Sequence, residues 1–272
     1  MTLTIFDQFW HRTLGRPYGL AKALDVGAGP PVVLLHGIGR TGQTWQHVME
    51  LLAPLPRRIL AFDLLGFGGS PKPKWLQYNV DDHARAVIRS IGKEKLGQPV
   101  VLVGHSMGCL VAVRVALLRP DLVKHLVLYE MPLYDGLPEK RIYRLRTNLY
   151  LKLYKRLIRS DLKFDQAKLH LTERLTKRIV GFEVTNESWL PFIRSLENTI
   201  VKQSTAKDIK QLDIAMDVIY GRFDMLVIRG EPQAFFGSEH DHITAHTIRA
   251  RHVITPKASA FIVERVEAAL QS

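Results

Sequence analysis

Apolar residues in this chain follow two rhythms. Short unbroken runs, each closed by Gly or a polar residue, predict strands at Pro31–Leu35 (PVVLL), Arg58–Phe62 (RILAF), Pro99–Val103 (PVVLV), His125–Tyr129 (HLVLY), Ile214–Tyr220 (IAMDVIY) and Ile243–Ile248 (ITAHTI). Runs that are apolar at consecutive positions suit strands covered on both faces, as in a parallel sheet. Between them, spacings of three and four predict helices at Thr44–Leu52, Val80–Ile91, Met107–Leu118 and Ala258–Leu270. Strand and helix alternate, so the expected fold is α/β: a doubly wound, mostly parallel sheet.

The alternation lapses between about Tyr134 and Thr205. There Ile142, Leu145, Leu149, Leu153 and Leu157 keep helical spacing and no strand signal intervenes. Residues 134–205 therefore read as an all-helical cap inserted into a core made of residues 1–133 and 206–272. Such an insertion suits a lid over the carboxyl ends of the strands, where open α/β sheets bind ligands.

Composition adds limits. A 272-residue chain with 46% apolar and 24% charged residues is not a disordered chain. The lone Cys109 excludes an intramolecular disulfide and any multi-cysteine metal site. No apolar run resembles a secretory leader or reaches the roughly 20 residues of a membrane span. The expectation is a soluble, cytoplasmic protein.

The net charge is +12, and thirteen basic against four acidic residues fall between Glu139 and Arg178. Most of the excess thus belongs to the cap. It reads as a solvated outer face, as a helix lying on anionic membrane through Lys152, Lys155, Arg156 and Arg159, or as an attractor of anionic substrate. Nucleic acid is not an expected partner, since no nucleic-acid module accompanies the basic segment.

Chemistry concentrates at Gly104-His105-Ser106-Met107-Gly108, a G-x-S-x-G sequence between a predicted strand and a predicted helix. A turn that tight needs residues without bulk beside the serine and pushes its hydroxyl out at the helix N-terminus. A serine hydroxyl needs a base, and the base an orienting acid. Asp224 follows one strand and is the expected acid, with Glu130, which ends the HLVLY strand, as the alternative. His252 follows the last strand and is the expected base. His240 and His242 lie before that strand, and His246 within it reads as a packed core histidine. His240-Asp241-His242 offers too few ligands for a closed metal site, so no metal is expected. The amides of Met107 and Ile38 are the expected oxyanion donors. Trp189, Phe192 and Ile193 are candidates for the wall of a substrate pocket, or else the packing face of a short helix. Cys109 reads as core packing.

These motifs resemble the α/β-hydrolase superfamily: GPPVVLLHGIG at 29–39, DLLGFGGS at 63–70, VLVGHSMG at 101–108, YGRFD at 220–224, and His252 before the final helix. The resemblance covers roughly residues 23–133 and 206–270 and not the basic insertion. It implies hydrolysis through an acyl-enzyme with no cofactor, and a structural role for the Asp63–Ser70 loop. A serine at the elbow points away from the haloalkane dehalogenases and epoxide hydrolases of this fold, which use aspartate there. The expected activity is cleavage of a small-molecule carboxylic ester. C–C hydrolysis of a vinylogous diketone by the same triad, or a non-catalytic member binding a small molecule or a membrane, are the alternatives.

Overall fold

The computed structural model describes Phe6 and residues 9–133, 184–224, 227 and 241–272. The part of the expected cap that carries most of the basic charge, residues 134–183, lies outside the described residues, as does His240. Seven strands, β1 (Lys22–Val26), β2 (Pro31–Leu35), β3 (Arg58–Phe62), β4 (Val100–His105), β5 (Val123–Tyr129), β6 (Met216–Gly221) and β7 (Ile243–Ile248), form one sheet. Their order is β1-β3-β2-β4-β5-β6-β7, and every pairing is parallel except β1 with β3.

The helices are α1 (Gln46–Leu52), α2 (Val80–Lys93), α3 (Met107–Leu118), α4 (Asn186–Ser195), α5 (Thr205–Ile209) and α6 (Pro256–Gln271). Alternate residues of each strand face opposite sides of the sheet. Val33, Leu35, Leu60, Leu102 and Leu128 join the apolar residues of α2 and α3 in one core. Val32, Leu34, Ile59, Val101 and Val127 join those of α1 and α6 in the other. The central strands are thus buried on both faces, which is why they are apolar throughout. Each such side chain contributes about 1.5–3 kcal/mol of transfer free energy.

Helix starts carry their own signals. The Asn79 side chain accepts from the Asp82 amide at 2.9 Å, and the Asp82 carboxylate accepts from the Asn79 amide in return. Thr185 and Ser188 form the same reciprocal pair at α4, and at α6 the Thr255 side chain accepts from the Ala258 amide. After α4 the chain continues as a wider π-helical turn, Leu196–Val201. This stretch is tied to the loop before α2. Arg194 donates to the carbonyls of Lys74 and Leu76, both at 2.6 Å, Asn198 to that of Gln77 and Thr199 to that of Tyr78, both at 2.8 Å.

One strand escapes the sequence reading. β1 (KALDV) is a largely solvent-facing edge strand with Lys22 and Asp25 in it, so it lacks the unbroken apolar run of its neighbours. A second difference concerns His246. It is not simply packed: its Nε2 donates to Asp217 at 2.5 Å, and His125 Nε2 donates to the other Asp217 oxygen at 2.9 Å. These two bonds hold the Asp217 carboxyl below its usual pKa against the desolvation that opposes them.

Candidate active site

The register of the sheet brings the expected site residues to one edge. Leu35 pairs with Gly104, so the loop leaving β2 and the turn leaving β4 emerge side by side. Gly221 pairs with Ile248, so the segments carrying Asp224 and His252 leave β6 and β7 together. Arg222 and Phe223 amides donate to the carbonyls of Ile248 and Ala250 at 2.7 and 2.9 Å, joining those two segments.

Ser106 has φ 53° and ψ −121°, a conformation that costs an L-residue energy and that the surrounding turn enforces. Glycines make the turn possible. A Cβ on Gly104 would lie 2.7 Å from the Cys109 backbone, and one on Gly108 would lie 2.3 Å from the Leu35 carbonyl oxygen. Gly108→Ala should therefore push α3 off β2, lowering stability by about 1–3 kcal/mol and activity with it. Urea denaturation of the variant beside wild type checks this, and equal midpoints would contradict it.

The three side chains form a hydrogen-bonded chain. His252 Nε2 lies 3.2 Å from Ser106 Oγ, and His252 Nδ1 lies 2.8 Å from Asp224 Oδ2. An ionised carboxylate only accepts, so Nδ1 carries the hydrogen and Nε2 presents its lone pair to the serine hydroxyl. The other Asp224 oxygen accepts from the Val227 amide at 3.2 Å. Ser106, Asp224 and His252 are all buried.

Glu130 directly follows β5, and its carboxylate, that of Asp224 and the His252 ring nitrogen fall within 4.8 Å of one another. Its Oε1 accepts from the Gly221 amide at 2.6 Å, at the start of the turn that carries Asp224. His252 Nδ1 is hydrogen-bonded to Asp224. This trio is the one cluster of metal-ligand type among the described residues. An ion there would have to displace the proton that links His252 to Asp224.

The two expected oxyanion donors sit on the segments after β2 and β4. Met107 opens α3, so its amide is among the helix's unsatisfied first donors. Ile38 is buried in the same core as Met107. Among the described residues, no backbone carbonyl accepts from either amide. Gly37 lets the loop approach: a Cβ there would lie 3.1 Å from the Ser106 Cβ.

Sequence reasoning missed the side chains that hold these loops. His36 Nε2 accepts from the Leu64 amide at 2.8 Å, so Nδ1 donates to the Gly37 carbonyl at 2.7 Å. Burial pushes its pKa down to about 4, which keeps it neutral and preserves both bonds. His105 Nε2 donates to the His252 carbonyl at 2.8 Å, and burial lowers its pKa to about 3. The Tyr129 hydroxyl donates to the Arg251 carbonyl at 2.5 Å. Two side chains from β4 and β5 thus hold consecutive carbonyls of the segment bearing His252. Asp63 accepts from the Gly42 and Gly69 amides, both at 2.8 Å, which explains the acid that opens the Asp63–Ser70 loop.

Phe192 and Ile193 on α4 are buried in the core that contains Met107 and Ile38, and Trp189 packs against it, stacked on Phe192 at 6.0 Å. Cys109 is buried, its thiol donates to the Tyr129 carbonyl at 3.3 Å, and burial raises its pKa well above the ordinary value, so no thiolate forms.

Residues 30–251 match the family described as alpha/beta hydrolase fold. The chain is 38% identical over 124 residues to a 2-hydroxymuconate semialdehyde hydrolase of Pseudomonas sp. (strain CF600), covering 42% of each protein. It is 36% identical over 106 residues to an Arabidopsis thaliana protein named "Probable lysophospholipase BODYGUARD 4", covering 39% of this chain and 25% of that one. The matches therefore span well under half the length of these two relatives. Among solved structures, a serine hydrolase involved in carbazole degradation superimposes with a TM-score of 0.67 at 23% identity, covering 91% of this chain and 93% of that one. At that identity the likeness shows a shared fold.

Proposed function

Because this chain belongs to the α/β-hydrolase family, we propose that it hydrolyses carboxylic esters of small molecules through an acyl-enzyme on Ser106. The observation that carries the reading is the chain Ser106–His252–Asp224, with separations of 3.2 and 2.8 Å at the tip of a strand-to-helix turn. His252 takes the serine proton as Oγ attacks the carbonyl carbon. Asp224 fixes the tautomer and stabilises the imidazolium. The Met107 and Ile38 amides receive the oxyanion. His252 then returns the proton to the leaving alcohol, and water repeats the sequence to release the acid. Trp189, Phe192 and Ile193 form one wall of the apolar pocket for the acyl part.

A second reading, C–C hydrolysis of a vinylogous diketone, draws support from the identity to the semialdehyde hydrolase. The relative named a lysophospholipase supports ester cleavage. A panel of short and medium p-nitrophenyl esters set against such diketones separates them by kcat/KM. The proposal expects esters to be favoured. Preference for diketones moves the assignment to C–C cleavage, and wild-type inactivity on both series removes it.

A further inference from the structure

Seven large apolar side chains stand exposed among the described residues, and four of them, Phe6, Phe9, Trp10 and Leu14, fall in one nine-residue stretch. The π-helical turn Phe9–Thr13 buries none of its residues. Phe6 and Trp10 stack at 6.2 Å, and the Arg16 guanidinium lies 5.9 Å from the Trp10 ring. His11, in the middle of this ridge, turns inward and stacks on Tyr18 at 3.7 Å. The outer side of the segment is thus aromatic, flanked by Arg12 and Arg16, while its inner side is fastened to the core.

His11 and Tyr18 also line a cavity of about 700 Å³. Its walls include four cations, Lys72, Lys74, Arg89 and Lys93, against one acid, Glu187. Leu20, Leu190 and Pro191 add apolar lining. Among the described residues, none of the four cations has an ion pair, and Arg89 Nε is buried without an acceptor. Lys72 is occupied only by the carbonyls of Gly68 and Ser70. Uncompensated positive charge around one cavity favours an anion there.

We infer that this face docks on an anionic phospholipid bilayer, with a lipid phosphate in the basic cavity and Phe6, Phe9, Trp10 and Leu14 in the interface. A bilayer supplies both complements at once, negative headgroups and an apolar boundary in which aromatic side chains settle. A free phosphate leaves the ridge in water. A second copy of the chain would set Arg12, Arg16 and the cavity's lysines against their like. Ser106 does not line the cavity.

The test is co-sedimentation with vesicles of phosphatidylcholine alone and of equal parts phosphatidylcholine and phosphatidylglycerol. The full chain should bind the anionic vesicles at low salt and release as salt rises. Neutralising three cavity charges (Lys74→Gln, Arg89→Gln, Lys93→Gln) should weaken binding about a hundredfold, at roughly one charge's worth of surface attraction each. Phe9→Ser with Trp10→Ser should weaken it separately, with thermal midpoints near wild type in both variants, since the replaced groups are exposed or lack ion pairs. Inorganic phosphate at millimolar concentration should not displace the vesicles; displacement assigns the cavity to free phosphate and overturns the proposal. Wild-type strength in both variants overturns it too. So does loss of binding only on charge reversal at Lys152, Lys155, Arg156 and Arg159, or self-association that the Phe9/Trp10 variant abolishes.

Discussion

Ser106→Ala should lower kcat/KM on a p-nitrophenyl ester by about 10⁴–10⁶, leaving a residue of rate from the oxyanion donors and substrate binding. The size follows from the geometry. His252 Nε2 is hydrogen-bonded to Ser106 Oγ at 3.2 Å, and the Cys109 thiol is buried, with its pKa raised well above the ordinary value by desolvation. The fold should survive. The elbow is maintained by the bond from the Ser106 amide to the Tyr129 carbonyl at 3.0 Å and by the flanking glycines, and alanine keeps the same backbone. A thermal midpoint close to wild type beside the lost rate separates a chemical role from a structural one. Unchanged turnover would remove Ser106 from the mechanism.

The second large effect distinguishes the two carboxylates beside His252. Asp224→Asn should lower kcat by about 10⁴, because an amide can turn its NH₂ toward Nδ1 and so favour the tautomer in which Nε2 carries the hydrogen. Nε2 then cannot take the serine proton. Glu130→Gln should have a far smaller effect, since glutamine still offers an oxygen to accept the 2.6 Å bond that the Gly221 amide donates. The pair of variants is assayed under identical conditions across pH. If Glu130→Gln matches Asp224→Asn in its loss of kcat, the orienting role passes to Glu130.

Much of this site was legible in the sequence because its parts obey local rules. Strands β2 to β4 announce themselves through apolar runs, since both faces are covered, whereas β7 at the other edge is a mixed run of half-buried and exposed residues. Chain order and strand ends were enough to single out Ser106, Asp224 and His252, because the parallel sheet delivers its carboxyl ends to one edge. What stayed hidden depends on partners far along the chain. His105 and Tyr129 grip the carbonyls of His252 and Arg251, more than a hundred residues away. The bridge His125–Asp217–His246 joins three adjacent strands, β5, β6 and β7, and becomes visible only once strand order is known. β1 lacks the apolar signal because it is an edge strand with polar residues turned to water. Phe6, Phe9, Trp10 and Leu14 belong to no motif in the sequence, and only their exposure beside a basic cavity gives them a meaning.

We read Ser106 as a nucleophile activated by His252 and Asp224. Treating the folded chain with a fluorophosphonate and mapping the adduct by peptide mass spectrometry tests it most directly. One adduct is expected, on Ser106, forming far more slowly in Asp224→Asn. A folded protein that stays unlabelled, or one labelled only at another residue, contradicts it.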